Sequence, residues 1–327
     1  MPPFTRVTLT NRHSMQVELA SFGARIVSIR MPNKSGAVKE LTFSDHANQD
    51  ILNDAAFKGA TCGRIANRIG NAQFALEGVQ YKLTANEGEN ILHSGKHGFS
   101  QRNWRLSAKR KSFHSDTAIF SLDSSHLEQG FPGNVQASVI YRLDNNNALN
   151  IEFIANSDRL TPINMCNHTY FTMSESDISE LDLHVNASTF MQINPDGIPT
   201  GIVGKSSELI DFQKPQRLGD VLSLHEIDHC YILNKSQQSL LSNKPNTAPI
   251  ELAAQLSSRR HKLRLDIFTN QPAMQVYTGK HLSPRNRAVA LEAQGYIDAV
   301  NQRNFSADFA SEKAPYRRKL VYRFTAL

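Results

Sequence analysis

Long apolar runs, helical periodicity and paired cysteines are all scarce in this chain of 327 residues. No stretch approaches the ~18–20 apolar residues that cross a bilayer, so no membrane partner is expected. The opening residues, Met1-Pro2-Pro3-Phe4-Thr5-Arg6, carry no apolar core of the kind a secretory signal needs. A cytoplasmic location is the expectation. Cys62, Cys166 and Cys230 are odd in number, widely spaced and without a CxxC, which points to reduced thiols rather than a disulfide framework. Cys166 lies near His168, and His229 abuts Cys230, but neither pair has the CxxC or HxxxH spacing of a metal site. No metal is expected. Lysine and arginine total 36 against 30 acidic residues, a net charge of +6. The basic residues are scattered, with short clusters only at Lys109-Arg110-Lys111 and Arg317-Arg318-Lys319. A nucleic-acid protein concentrates them on one face among aromatics, so no nucleic-acid partner is expected. No repeat, low-complexity tract or Gly/Ser linker divides the chain, which reads as a single domain over residues 1–327.

What the sequence does contain is period-two alternation. Val135, Ala137, Val139, Tyr141 and Leu143 alternate with polar positions, Ile140 excepted. Asp144-Asn145-Asn146-Asn147 then supplies turn chemistry, and Leu149, Ile151, Phe153 and Ala155 resume the pattern, which predicts a β-hairpin with one buried face. A second hairpin is predicted from Phe74 and Leu76 through Glu77-Gly78 to Val79, Tyr81 and Leu83. Leu263, Leu265 and Ile267, and later Leu320, Tyr322 and Phe324, keep the same spacing. The best helical stretch, 206–222, is broken by Ser207, Pro215 and Gly219. The polar stretch 237–248 reads as a loop. Strands without alternating long helices predict an all-β antiparallel sandwich rather than a doubly wound fold.

Five segments place polar groups among apolar or small residues. In 59–70, Asn67 and Arg68 sit between small and apolar neighbours. Their donors suit an array of hydroxyls, and equally an arginine that caps backbone carbonyls in a glycine-rich turn. The loop 86–95 ends in His93, a site residue or an ordinary hydrogen-bonded histidine. In 161–171, His168 is followed by Tyr170 and Phe171, aromatics able to stack on a sugar's C–H face; a satisfied core histidine is the alternative. Asp228 leads into a short apolar strand, as a site acid or a surface acid. Glu292 follows an apolar run, and a carboxylate buried there is either salt-bridged or raised in pKa, the second being what a general base requires.

The segments occur in an order that resembles the aldose 1-epimerase family across almost the whole chain. SFGARIVSI at 21–29 is followed by GRIANRI at 63–69, LHSG at 92–95 and TPINMCNHTYF at 161–171. DGIPTG at 196–201, DH at 228–229, QVYTG at 275–279 and LEAQGYIDAVN at 291–301 follow, with YR at 316–317 and VYRF at 321–324 closing the series. The resemblance implies a large β-supersandwich with an open cleft for a monosaccharide and no cofactor. It implies His168 as proton donor to the ring oxygen, Glu292 as base toward the anomeric hydroxyl and His93 near the ring oxygen. Asn67, Arg68, Asp228 and Gln275 are then expected to contact sugar hydroxyls or the catalytic pair. A small monosaccharide is the expected partner of a monomer or homodimer, with galactose and glucose as family-level substrates.

Two departures stand out. Cys230 follows Asp228-His229 where asparagine is commoner, and is expected to alter the cleft wall. Tyr296-Ile297 replaces Phe-Pro and is expected to adjust a loop. Two other function classes compete. A glycoside hydrolase would use Asp228 and Glu292 as its carboxylate pair, roughly 5–5.5 Å or 6.5–9.5 Å apart. A non-catalytic sugar-binding protein would share the fold but lose His168 or Glu292.

Overall fold

The computed structural model describes residues 4–236 and 248–327; the loop expected at 237–248 lies outside the described residues except for Ala248. Three antiparallel sheets carry the architecture. The largest has nine strands, ordered Arg105–Lys111, Ser115–Ser124, Val135–Asp144, Ala148–Ser157, Tyr316–Ala326, Leu263–Thr269, Glu251–Ser258, Leu181–Val185 and Gln216–Arg217. A seven-stranded sheet runs Pro199–Lys205, Thr189–Ile193, Asp228–Ile232, Ala273–Tyr277, Val289–Gln294, Tyr170–Phe171 and Thr42–Phe43. A four-stranded sheet of Arg6–Thr10, Gln16–Ala20, Arg25–Pro32 and Val38–Glu40 completes the supersandwich.

The predicted hairpins form as read. Val135 to Leu143 pairs with Ser157 to Leu149 in unbroken register, and Gln73–Leu76 pairs with Val79–Lys82. The hydrophobic alternation is the cause: every second residue of Ser115–Ser124 and Val135–Asp144 is buried. One core cluster collects these faces, joining Leu19 and Ile26 of the small sheet, Phe120, Val139 and Phe153 of the large one, and Val276 and Leu291 of the seven-stranded sheet. Each such side chain contributes about 1.5–3 kcal/mol on burial. The helical stretch at 206–222 condenses to a 3₁₀ turn at Ser206–Glu208 and one short helix at Leu218–Leu222. Among the described residues no helix is long and apolar enough to cross a membrane.

Strand Val289–Gln294 is buried along its whole length. Val289, Leu291 and Ala293 enter the shared core. The opposite face, Ala290 and Glu292, is directed toward the segment that leads into Tyr170–Phe171. Loops between the sheets are tied down by buried charge. The Arg25 guanidinium donates to Asp54 at 3.0 Å with both side chains fully buried, and Asp54 also accepts from the backbone N–H of Ala56 and Lys58. That carboxylate therefore shapes the turn that presents Phe57.

Removing one partner of a buried ion pair costs about 3–5 kcal/mol, because the other charge is stranded. Asp54→Ala is accordingly expected to lower the denaturation midpoint by that order in free energy; an unchanged midpoint in equilibrium urea unfolding would contradict this role for the pair.

Candidate active site

All seven residues singled out from the sequence line one cleft of about 350 Å³: Asn67, Arg68, His93, His168, Asp228, Gln275 and Glu292. Its size falls at the lower end of small-molecule sites, typically ~300–1,000 Å³. The floor is the seven-stranded sheet. Gln275 and Glu292 are direct cross-strand partners, and Cys230 opposes Gln275 on the next strand. Because opposed residues share a face and alternate residues repeat it, Asp228, Gln275 and Glu292 point the same way. The rest of the cleft comes from three segments zipped together. Ala66 N–H donates to the Asn164 carbonyl at 2.7 Å, and Asn164 N–H to the Arg64 carbonyl at 2.8 Å. On the other flank, Ser94 Oγ accepts from Ile65 N–H at 2.7 Å.

His168 and Glu292 meet on this floor, Nε2 to Oε1 at 3.4 Å, with exposures of only 5% and 2%. Burial pushes the Glu292 carboxyl above the ordinary glutamate value; the nearby His168 partly counters it. The salt-bridged and raised-pKa alternatives thus meet in one group, whose partner is a histidine rather than a permanent cation.

His93 is set by its backbone neighbours. Its Nδ1 accepts from Asn67 N–H at 3.2 Å, while its own N–H donates to the Asn67 carbonyl at 2.9 Å. A backbone N–H can only donate, so the ring proton of neutral His93 belongs on Nε2. Burial, followed by the proximity of His168 and Arg68, holds His93 well below the usual histidine pKa. It is a neutral donor. Phe57 packs on it with ring centroids 4.5 Å apart, and His168 lies edge-on at 5.5 Å. Phe57, Asn67 and His93 all adopt left-handed backbone, with φ of 58°, 61° and 49°. Non-glycine residues occupy that region at a cost and cluster at functional sites.

The two readings of the glycine-rich segment fall to different arginines. Arg64, 2% exposed, caps the carbonyls of Ser124, Ser125 and Pro132 at 2.7–2.9 Å. Arg68 reaches the cleft, where Glu87 holds it through two oxygens at 2.6 and 2.9 Å. Gly197 of the DGIPTG turn, at φ +75°, lies so close that an added Cβ would sit 3.0 Å from the Arg68 guanidinium. Asp228 is exposed and accepts from Gln275 Nε2 at 2.6 Å. The other amide atom, Gln275 Oε1, is buried with no hydrogen-bond partner among the described residues.

Sequence reasoning missed several lining residues: Phe57, Glu87, Tyr277, His281 and Leu282. Glu87 and Tyr277 lie inside the segments quoted above, and the bidentate need of an arginine fork was the available signal for Glu87. Of the two aromatics after His168, Tyr170 lines the cleft while Phe171 turns into the core against Tyr322. The expectation that Cys230 alters the cleft wall is corrected: it is fully buried among Met191, Ala273, Ile297 and Phe305 and is not part of the lining. Ile297 shares that cluster and Tyr296 packs on Phe305, so this pair also stays out of the cleft. Neither Cys166 nor the His229–Cys230 pair belongs to a candidate ligand group among the described residues. Among the described residues, His93, His168 and Glu292 do, with one atom of each lying within 4.8 Å of the others.

A family model described as aldose 1-epimerase matches residues 5–323. The chain is 34% identical over 323 residues to an aldose 1-epimerase of Haemophilus influenzae, covering 91% of this chain and 88% of that one. It is 32% identical over 283 residues to an aldose 1-epimerase of Escherichia coli, with 86% and 80% covered. The crystal structure of an aldose epimerase homologue from C. elegans aligns with a TM-score of 0.89 at 25% identity, over 98% of this chain and 99% of that one. A match that runs almost end to end, on a fold shared over the same length, leaves one assignment: the chain belongs to the aldose 1-epimerase family and is an isomerase that interconverts the anomers of an aldose.

Proposed function

We propose that the cleft takes a free aldopyranose, galactose and glucose among them, and opens and recloses its ring with His168 as acid and Glu292 as base. The observation that carries this reading is the buried contact of 3.4 Å between His168 Nε2 and Glu292 Oε1, which puts a proton donor and a proton acceptor side by side at the cleft floor. Glu292 removes the proton of the C1 hydroxyl, and the freed pair forms the C1=O bond. The C1–O5 bond breaks, and its electrons take the His168 proton onto the ring oxygen. Rotation about C1–C2 presents the other aldehyde face, and the same steps in reverse close the opposite anomer. Both protons return to their owners, so the cycle consumes no cofactor.

The remaining residues have supporting roles. His93, neutral and protonated on Nε2, donates toward the ring oxygen and stabilises charge there. Gln275 Oε1, buried and without a partner among the described residues, accepts from a sugar hydroxyl. Asn67, Arg68 and Asp228 read further hydroxyls, and Tyr170 offers a ring to the pyranose face. The paired-carboxylate reading has less support, because Asp228 is exposed and tied to Gln275 while the buried acid–base contact joins Glu292 to a histidine.

Polarimetry of freshly dissolved α-galactose and α-glucose tests the assignment. His168→Ala and Glu292→Gln are each expected to slow catalysed mutarotation by about 10²–10⁴-fold. Full activity in either variant, with wild-type protein active, would overturn its role. The pH profile follows from Glu292: with its pKa raised by burial, the base form is lost as pH falls, already above the ordinary glutamate value of 4.5. The acid limb of kcat/KM is therefore expected above pH 4.5. A rate that does not fall as the pH is lowered toward 4.5 would contradict the role of Glu292. Finally, metal coordination would block the atoms assigned to proton transfer. Dialysis against EDTA is expected to leave the rate unchanged, whereas a loss restored by zinc would place a metal between His93, His168 and Glu292.

A further inference from the structure

We propose that Cys166 is a positioning residue for the base: its thiol holds Oε2 of Glu292 and thereby turns Oε1 toward His168. The inference rests on the reading of Glu292 as base. Glu292 is enclosed, and its two oxygens are divided between two neighbours on one segment. Oε1 lies 3.4 Å from His168 Nε2, and Oε2 accepts from Cys166 Sγ at 3.4 Å. In an extended chain, residues two apart face the same side, so Cys166 and His168 reach the same carboxylate from one short stretch. Among the described residues, no other side-chain or backbone group hydrogen-bonds Oε2.

The environment keeps this thiol a donor rather than a nucleophile. Cys166 is fully buried, and Cys62 stands directly opposite it in an antiparallel pair. Together with Ala66 and Phe57 they form a small apolar cluster behind the cleft. The adjacent Cys62 thiol, then burial, hold the Cys166 pKa well above the ordinary thiol value, so its proton is retained throughout the working range. Oxidation of the pair is disfavoured for the same reasons, because both sulfurs lack exposure and thiolate character. Donation from Cys166 favours the ionised carboxylate, opposing the burial that penalises it. The other groups facing Glu292 are His168 and Arg68, which favour its charge, Asp228, which opposes it, and His93, a ring nitrogen of which lies within 4.8 Å. Tyr170, Tyr277, Tyr322, Cys62 and Cys230 also lie within its electrostatic reach. Among the described residues, Cys166 is the one group besides His168 that contacts the carboxylate directly.

The test is the pH dependence of kcat and KM in wild type, Cys166→Ala, Cys166→Ser, Cys62→Ala and Glu292→Gln. In Cys166→Ala the acid limb of kcat/KM is expected to move up by about 0.5–1 pH unit, so that rates on that limb fall roughly 3- to 10-fold, with KM on the plateau little changed. Cys166→Ser replaces only sulfur by oxygen and is expected to bring the limb back toward wild type. Cys62→Ala deletes the facing sulfur without touching Glu292, and is expected to reduce stability and leave the limb in place. An unmoved limb and unchanged kcat in Cys166→Ala would overturn the proposal, as would an equal shift in Cys62→Ala, which would make the effect one of packing. Glu292→Gln separates the two levels. If it is fully active, the base assignment itself fails; if it is inactive while Cys166→Ala behaves as wild type, only the role of Cys166 fails.

Discussion

A carboxylate buried without a permanent cation is the constraint on which this cleft depends. Glu292 sits on a strand enclosed on both faces, and an isolated ionised carboxylate there would be prohibitively costly. Its surroundings answer with a histidine on one oxygen and a thiol on the other. Neither neutralises it outright. A permanent guanidinium at that distance would pull the carboxyl to low pKa and weaken it as a base; a purely apolar pocket would keep it protonated. The intermediate arrangement leaves the group, raised by its burial above the ordinary glutamate value, able to take a proton and give it back.

The three arginines around the cleft show charge being sorted by burial. Arg25 is fully buried and has a carboxylate, Asp54. Arg64 is nearly as buried but is held by neutral acceptors, the Ser124 hydroxyl and carbonyls from the end of strand Ser115–Ser124 and the loop beyond, and its pKa is drawn down to about 10 by burial. Arg68 keeps partial exposure and is held by Glu87, which leaves it available at the cleft. The first two fix loops; the third faces the ligand side. The left-handed residues Phe57, Asn67 and His93 belong to the same economy, since local backbone strain persists only where such anchors over-determine the loop.

Much of the fold was legible because alternation is a local signal. The hairpins at 135–157 and 73–82 follow from which side chains must be buried and which turn residues join them. The short strands Thr61–Cys62, Cys166–Asn167 and Tyr170–Phe171 were not legible, because two residues carry no period. The same limit hid the pairing of Cys62 with Cys166, which wide sequence spacing seemed to keep apart. At Cys230 the error had a different origin: its place beside Asp228 in sequence suggested the cleft, but its side chain is walled off by Met191, Ile297 and Phe305.

By itself, the sequence determined that the chain would build antiparallel sheets, and the order of its motifs named the residues that gather at the cleft. Those properties are written in period-two burial and in residue type, which need no partner to be read. The tertiary structure alone decided that Gln275 and Glu292 share a face, that Arg64 is the arginine that caps loop carbonyls, and which ring nitrogen of His93 carries the proton. Register, loop anchoring and tautomer are set by contacts between residues 17 to more than 100 positions apart, and no local pattern along one chain encodes them.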